Sequence, residues 1–328
     1  MTTTTALTAP ERPTAQRTGR LHGLTWTLLR VHRSALWFWI LYLAVTAGVI
    51  LWTYGPGADS ALAELTRLGC RDGDPNLGCD TGSSRVSRWD TGMALGSTLI
   101  TVAPLLIAAW AGGALIGREL ENGTAQLAWT QSVSPARWLA AKLAVPAVLI
   151  ITGTLLLTVL HRMLWTSHLE LARWYGSWSW YDSQIFEANG TLATAYALLG
   201  LALGVLAGMV ARHSLAGLGV GAVAIGIVVQ QFQSLRPHLW PAETRKGTGD
   251  LGMTVGTGSY TSTGARLPGL LCGDRAACVA RNDVAGVYRD YHAASHFWPL
   301  QLMETGLVLA LVAAATATAF WLLRRRTA

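Results

Sequence analysis

Charge is what this sequence has least of. Only 13% of its 328 residues are Asp, Glu, Lys or Arg, about half the share of an average soluble chain. Four stretches, Ala35–Tyr54, Thr91–Gly117, Ala188–Ala211 and Ser214–Leu235, contain no charged residue. Such runs exclude an ordinary water-soluble domain. Nucleotide and hydrolase motifs are missing as well. There is no G-x4-G-K-[ST] phosphate loop, no H-E-x-x-H and no G-x-S-x-G, so the chain shows no means of its own to hydrolyse ATP or cut a substrate. Gly247–Gly264 is glycine-rich but lacks the lysine a phosphate loop uses. Cysteine is scarce too: Cys70, Cys79, Cys272 and Cys278.

What is present is apolar length. Six runs of the ~17–25 residues needed to cross a bilayer as helices are expected at about 35–54, 91–117, 140–160, 188–211, 214–235 and 300–323. The fold class is therefore an all-α polytopic membrane protein with six transmembrane helices. The first run follows 34 mostly polar residues and is longer than a signal-peptide core, so it reads as an uncleaved span.

Placing the N-terminus in the cytoplasm puts 12 Lys and Arg against three acids on the inner segments, and 13 against 15 on the outer ones. The bias of basic residues toward one side makes both termini cytoplasmic in a plasma-membrane protein. The outer loops are then 55–90, 161–187 and 236–297. Basic residues beside span ends orient helices and meet anionic lipid at ~1 kcal/mol each, so the excess charge points to the bilayer and not to nucleic acid. All four cysteines fall in outer loops, where two local disulfides are expected. Three pairings are open, the within-loop one favoured, with free thiols as the alternative.

Residues 1–19 are rich in Thr, Ala and Pro and read as a disordered cytoplasmic tail. Over 20–34, Leu21, Leu24, Leu28 and Val31 recur at helical spacing among basic residues, as in an amphipathic helix lying on the membrane surface. The remainder, 35–328, is the six-span domain. Trp165, Trp174, Tyr175, Trp178, Trp180 and Tyr181 suit an outer aromatic belt. Glycines four apart, Gly200, Gly204 and Gly208, then Gly217 and Gly221, permit close helix packing within one subunit or across a dimer. Pro104 and Pro146 can kink helices or serve packing.

The connector between the second and third spans, about 118–135, is the most structured polar segment. Asn122-Gly123 supplies a helix stop, Thr124 can cap a short helix, and Ser134-Pro135 is an N-cap with proline in the first turn. The expected form is helix, stop, short helix, restart. An ordinary cytoplasmic loop is the bland alternative.

The run Gly117–Lys142, GRELENGTAQLAWTQSVSPARWLAAK, resembles the corresponding stretch of actinobacterial permeases of the type-2 ABC exporter family. The six-span layout and the closing FWPLQLMETG…WLLRRR are similar too, so the resemblance covers roughly residues 20–328. It implies that the connector carries a coupling helix that contacts an ATPase. Glu119, Glu121, Thr124, Gln126, Leu127, Trp129 and Gln131 become candidate coupling residues. The expected partners are a separate ABC ATPase subunit, which would bind ATP and Mg, and a second permease copy or homologue. No cofactor or metal is expected on this chain.

Glu304 lies about one turn into the sixth span, where a charge is costly and a substrate or gating role is a natural candidate. It could equally pair with a basic group such as Arg162. The leading function is the permease subunit of an ATP-driven exporter, itself not an enzyme. A non-transporting sensor or immunity component is the alternative, and a membrane enzyme using Glu304 or His161 a weaker one. No residue specifies the substrate.

Overall fold

The computed structural model describes residues 29–69, 83–130, 133–175, 178–247, 252–270, 272–273 and 275–327, leaving aside the side chains of residues 128 and 173–175. The tail, most of the interfacial helix expected over 20–34, Cys70, Cys79 and Gln131 lie outside the described residues.

Among the described residues, six helices are long and apolar enough to cross a membrane. The first joins α1 (Arg33–Trp52) through a π turn, Thr53–Gly57, to α2 (Ala58–Arg67). Residues 55–67, expected in an outer loop, are thus helical. The Gly-Pro-Gly sequence is accommodated because the π turn relaxes the hydrogen-bond ladder where Pro56 has no N–H to give. The second comprises α3 (Ser84–Trp110), a π segment at Ala111–Gly117 and α4 (Arg118–Glu121). Next come α5 (Thr124–Thr130), α6 (Pro135–Ser167), α7 (Leu169–Tyr175) and α8 (Ser183–Ala188). Helices α9 (Leu192–Ala211) and α10 (Ser214–Leu235) form an antiparallel hairpin, and α12 (Phe297–Thr327) closes the chain. The segment expected as the 161–187 loop begins with the last two turns of α6, and the fourth span starts only at Leu192, after a break at Asn189–Thr191.

Helix α9 is the hub. About 72% of its apolar window is buried, against 11% for the first long helix and 22% for the fifth and sixth. Such depth is possible because its contact face is nearly bare of side chains. A Cβ at Gly204 would strike the Ala108 carbonyl of α3, and one at Gly217 of α10 would strike the carbonyl of Gly112 in the π segment. Both glycine series are therefore used inside the chain, where they let three backbones touch. The outer faces of the bundle carry exposed Val159, Val223 and Leu302, suited to acyl chains.

The all-α expectation fails in the segment between α10 and α12. Strands β1 (Glu243–Lys246), β2 (Met253–Thr261), β3 (Arg266–Pro268) and β4 (Val284–His292) form an antiparallel sheet in the order β1-β4-β2-β3. MTVGTGSYT in β2 and VAGVYRDYH in β4 are rich in β-branched and aromatic residues, which suit a half-buried pleated surface. Met253 pairs with His292 and Gly258 with Tyr288. A short helix α11 (Ala276–Arg281) precedes β4 and holds one end of a disulfide, Cys272–Cys278, with Cα atoms 5.5 Å apart.

Candidate functional site

Two constructions stand out, one at each end of the bundle. The connector occupies one end. Helix α4 stops at Gly123, whose φ of +68° is costly for any residue with a side chain, and α6 restarts with Trp138 N–H donating to the Ser134 carbonyl. Thr124 does not cap α5. It is the first helical residue, and its Oγ donates to the Glu119 carbonyl at 3.2 Å, bracing the stop from the far side.

The candidate coupling residues divide into two sets. Glu119 and Glu121 face the bundle. Glu119 Oε1 accepts from Lys142 Nζ at 2.6 Å, and the same ammonium donates to the Leu115 carbonyl at 2.9 Å. Lys142 is 1% exposed, so the pair pins α4 to α6. Glu121 Oε2 accepts from the Ser214 N–H at 2.8 Å, placing a carboxylate on the first turn of α10, where the helix dipole favours it. Gln126 and Leu127 face outward, Leu127 being 62% exposed. Trp129 is half-buried, edge-to-face on Trp138 with centroids 5.7 Å apart, and Ala125 is fully buried. His32, before α1, sits edge-on to Trp110. Burial and the nearby Lys142 charge hold its imidazole below the usual range.

Three spans thus converge on one short segment, and a fourth meets the rod just before it. α3 and α4 form one rod, α6 is tied by Lys142, α10 by its N-terminus, and Trp110 meets the residue that precedes α1.

The other construction is a buried charge cluster beneath the sheet. Arg236, just after α10, donates through Nε to Glu304 Oε2 at 2.8 Å and through Nη2 to Glu304 Oε1 at 2.9 Å. Nη2 also donates to Glu187 Oε1 at 2.9 Å. Tyr196 hydroxyl donates to Glu304 Oε1 at 2.6 Å, and Gln233 Nε2 to Glu187 Oε1 at 2.9 Å. The guanidinium lies over the Phe186 ring. Burial pushes the Glu187 carboxyl up, against the opposing pull of Arg236. Glu304 is therefore paired, but with Arg236 and not Arg162. Arg162 donates to the Asn189 carbonyl and stacks on Trp298. Arg236 and Glu187 sit at the edges of loops in the sequence, and nothing local marks either as buried.

His161 lies between Ser97 Oγ (2.9 Å) and Asn189 (2.8 Å). The order hydroxyl, imidazole, amide is that of a nucleophile and its base. Here Ser97 Oγ donates to the Met93 carbonyl, and all three residues are at most 1% exposed. The chain of bonds fastens α3, α6 and the break before α9. Among the described residues no group of three His, Cys, Asp or Glu could hold a metal ion. Of the aromatic belt, Trp178 donates to Asp90 at 2.6 Å and Trp180 packs on Phe186 and Phe297.

A protein-family profile described as ABC-2 membrane transporter related matches residues 40–236. No curated protein and no solved structure gives a match. The matched region runs from within the first apolar helix to the end of the fifth, takes in the connector with its ties to α6 and α10, and spans well over half of the sequence. The chain belongs to the ABC-2 membrane transporter related family.

Proposed function

We propose that the protein is the permease subunit of an ATP-driven exporter, worked by a separate ATPase that docks on the connector. The supporting observation is the division of the connector into an outward and an inward set. Leu127 and Gln126 offer a contact surface, while Glu119 and Glu121 carry any displacement of α5 into α6 and α10. A push on one short helix would then move three spans together. That is what alternating access driven from outside the membrane requires.

In this reading the connector and both termini are cytoplasmic, the sheet and its disulfide face outward, and the protein resides in the plasma membrane. ATP and Mg are bound by the ATPase, and two permease copies assemble with two ATPases. The chain itself is not catalytic. His161 and Glu304, the groups an enzyme would need, are enclosed and bonded to their neighbours.

Affinity purification from the native membrane under mild detergent tests this. An ATPase bearing phosphate-loop and signature motifs should accompany the wild type and be lost from Leu127→Glu, with the bundle still monodisperse. Wild-type protein that purifies with no ATPase would overturn the reading.

A further inference from the structure

The cluster beneath the sheet has more acid than base. Glu187, Arg236 and Glu304 are 4%, 2% and 0% exposed, and two carboxylates against one guanidinium would leave a net negative charge in a site almost closed to solvent. Buried charge without compensation is strongly disfavoured, and the usual resolution is uptake of a proton.

Hydrogen bonding says where the proton sits. Glu304 has both oxygens occupied by donors, the bidentate Arg236 and the Tyr196 hydroxyl, which is the environment of an ionised carboxylate. Glu187 accepts only through Oε1, from Arg236 and Gln233, and among the described residues no donor reaches its Oε2. The other charged groups about α8 are engaged elsewhere. His161 and Arg162 of α6 bond Asn189, and Asp90 of α3 is held by Trp178.

We propose that Glu187 and Glu304 hold one proton between them, resident on Glu187 Oε2, so that the cluster is a proton-binding site joining α8, α10 and α12. The site stands apart from the coupling role of the connector and does not depend on it. A free glutamate titrates near 4.3, so holding the proton at pH 7 means favouring the protonated form roughly 500-fold over that reference. Release of the proton would leave an uncompensated charge between the elements that carry the sheet, loosening that end of the bundle.

The sign of the pH effect follows. A carboxyl that holds its proton more tightly when folded stabilises the fold at low pH, and the contribution fades as pH rises through its folded titration. Infrared spectroscopy on the purified full-length protein at pH 7 should show a buried carboxylic-acid carbonyl band that Glu187→Gln removes. Glu187→Gln copies the protonated form without having to take up a proton on folding, so its thermal midpoint should match the wild type at about pH 4 and lie above it at pH 7. The wild-type midpoint should fall relative to Glu187→Gln as pH is raised. Absence of such a band in the wild type, its survival in Glu187→Gln, or a clear loss of midpoint in Glu187→Gln at pH 7 would each overturn the proposal.

Discussion

Lys142 and Glu119 make the clearest case at the residue scale. An ammonium 1% exposed is tolerable only because it has a carboxylate and a carbonyl within 3 Å. Removing one partner strands the other, so Glu119→Gln is expected to destabilise by ~3 kcal/mol. The double change Glu119→Leu with Lys142→Met should recover most of that loss, because a well-packed apolar pair avoids the desolvation cost. Thermal unfolding in detergent, arranged as a double-mutant cycle, reads both. Neither residue's partner was legible in the sequence. Lys142 reads there as an ordinary positive flank, and only the 23-residue separation closed by the α4–α6 turn shows that it points inward. Glu304 repeats the lesson. Its burial follows from its place in an apolar run, but Arg236 as its partner required the fold.

Among the elements, the α3–α9–α10 seam sets the fold. Here the sequence was informative, because glycines four apart mark a face whether or not the neighbour is known. The identity of that neighbour was not, and it is a carbonyl row at Ala108 and Gly112. Gly204→Val is expected to cost ~1–3 kcal/mol, since the obstacle is backbone and cannot move aside like a side chain. Gly219→Ala and Gly226→Ala, on the open face of α10, should fold as well as the wild type. Size-exclusion profiles of the three variants provide the check. The connector was the most legible element of all. Its stop at Asn122–Gly123 and restart at Ser134–Pro135 rest on local backbone chemistry, and the structure places both there. Thr124 went differently because its hydroxyl found a nearer acceptor across the stop than along its own helix.

For the whole molecule, length and hydropathy give six helices, because each is a property of a continuous run. The sheet was not legible at that resolution. Its order β1-β4-β2-β3 places Glu243 beside Tyr291 across more than forty residues, a pairing that no window of sequence contains. The proposed orientation has a direct consequence at this scale. Lys246→Cys, on the sheet, should react with an impermeant thiol reagent in intact cells, whereas Gln126→Cys, on the connector, should react only after permeabilisation. The reverse pattern would invert the molecule. Reducing or replacing Cys272–Cys278 should speed proteolysis at Arg275 and Arg281 without unfolding the helices, since the bridge closes only a short loop at the cap.

The order in which the chain is made bears on the charge cluster. Synthesis runs from the N-terminus, so α9, the most enclosed helix, reaches the membrane before α10 and α12, which later cover it. Arg236 and Glu187 are both in place while Glu304, on the last helix, is still on the ribosome. The nascent protein therefore passes through a stage in which Arg236 and Glu187 pair one to one, and the second carboxylate comes only when the sixth helix docks. A chain truncated before Phe297 would be held there, one carboxylate to one guanidinium, with no proton to take up.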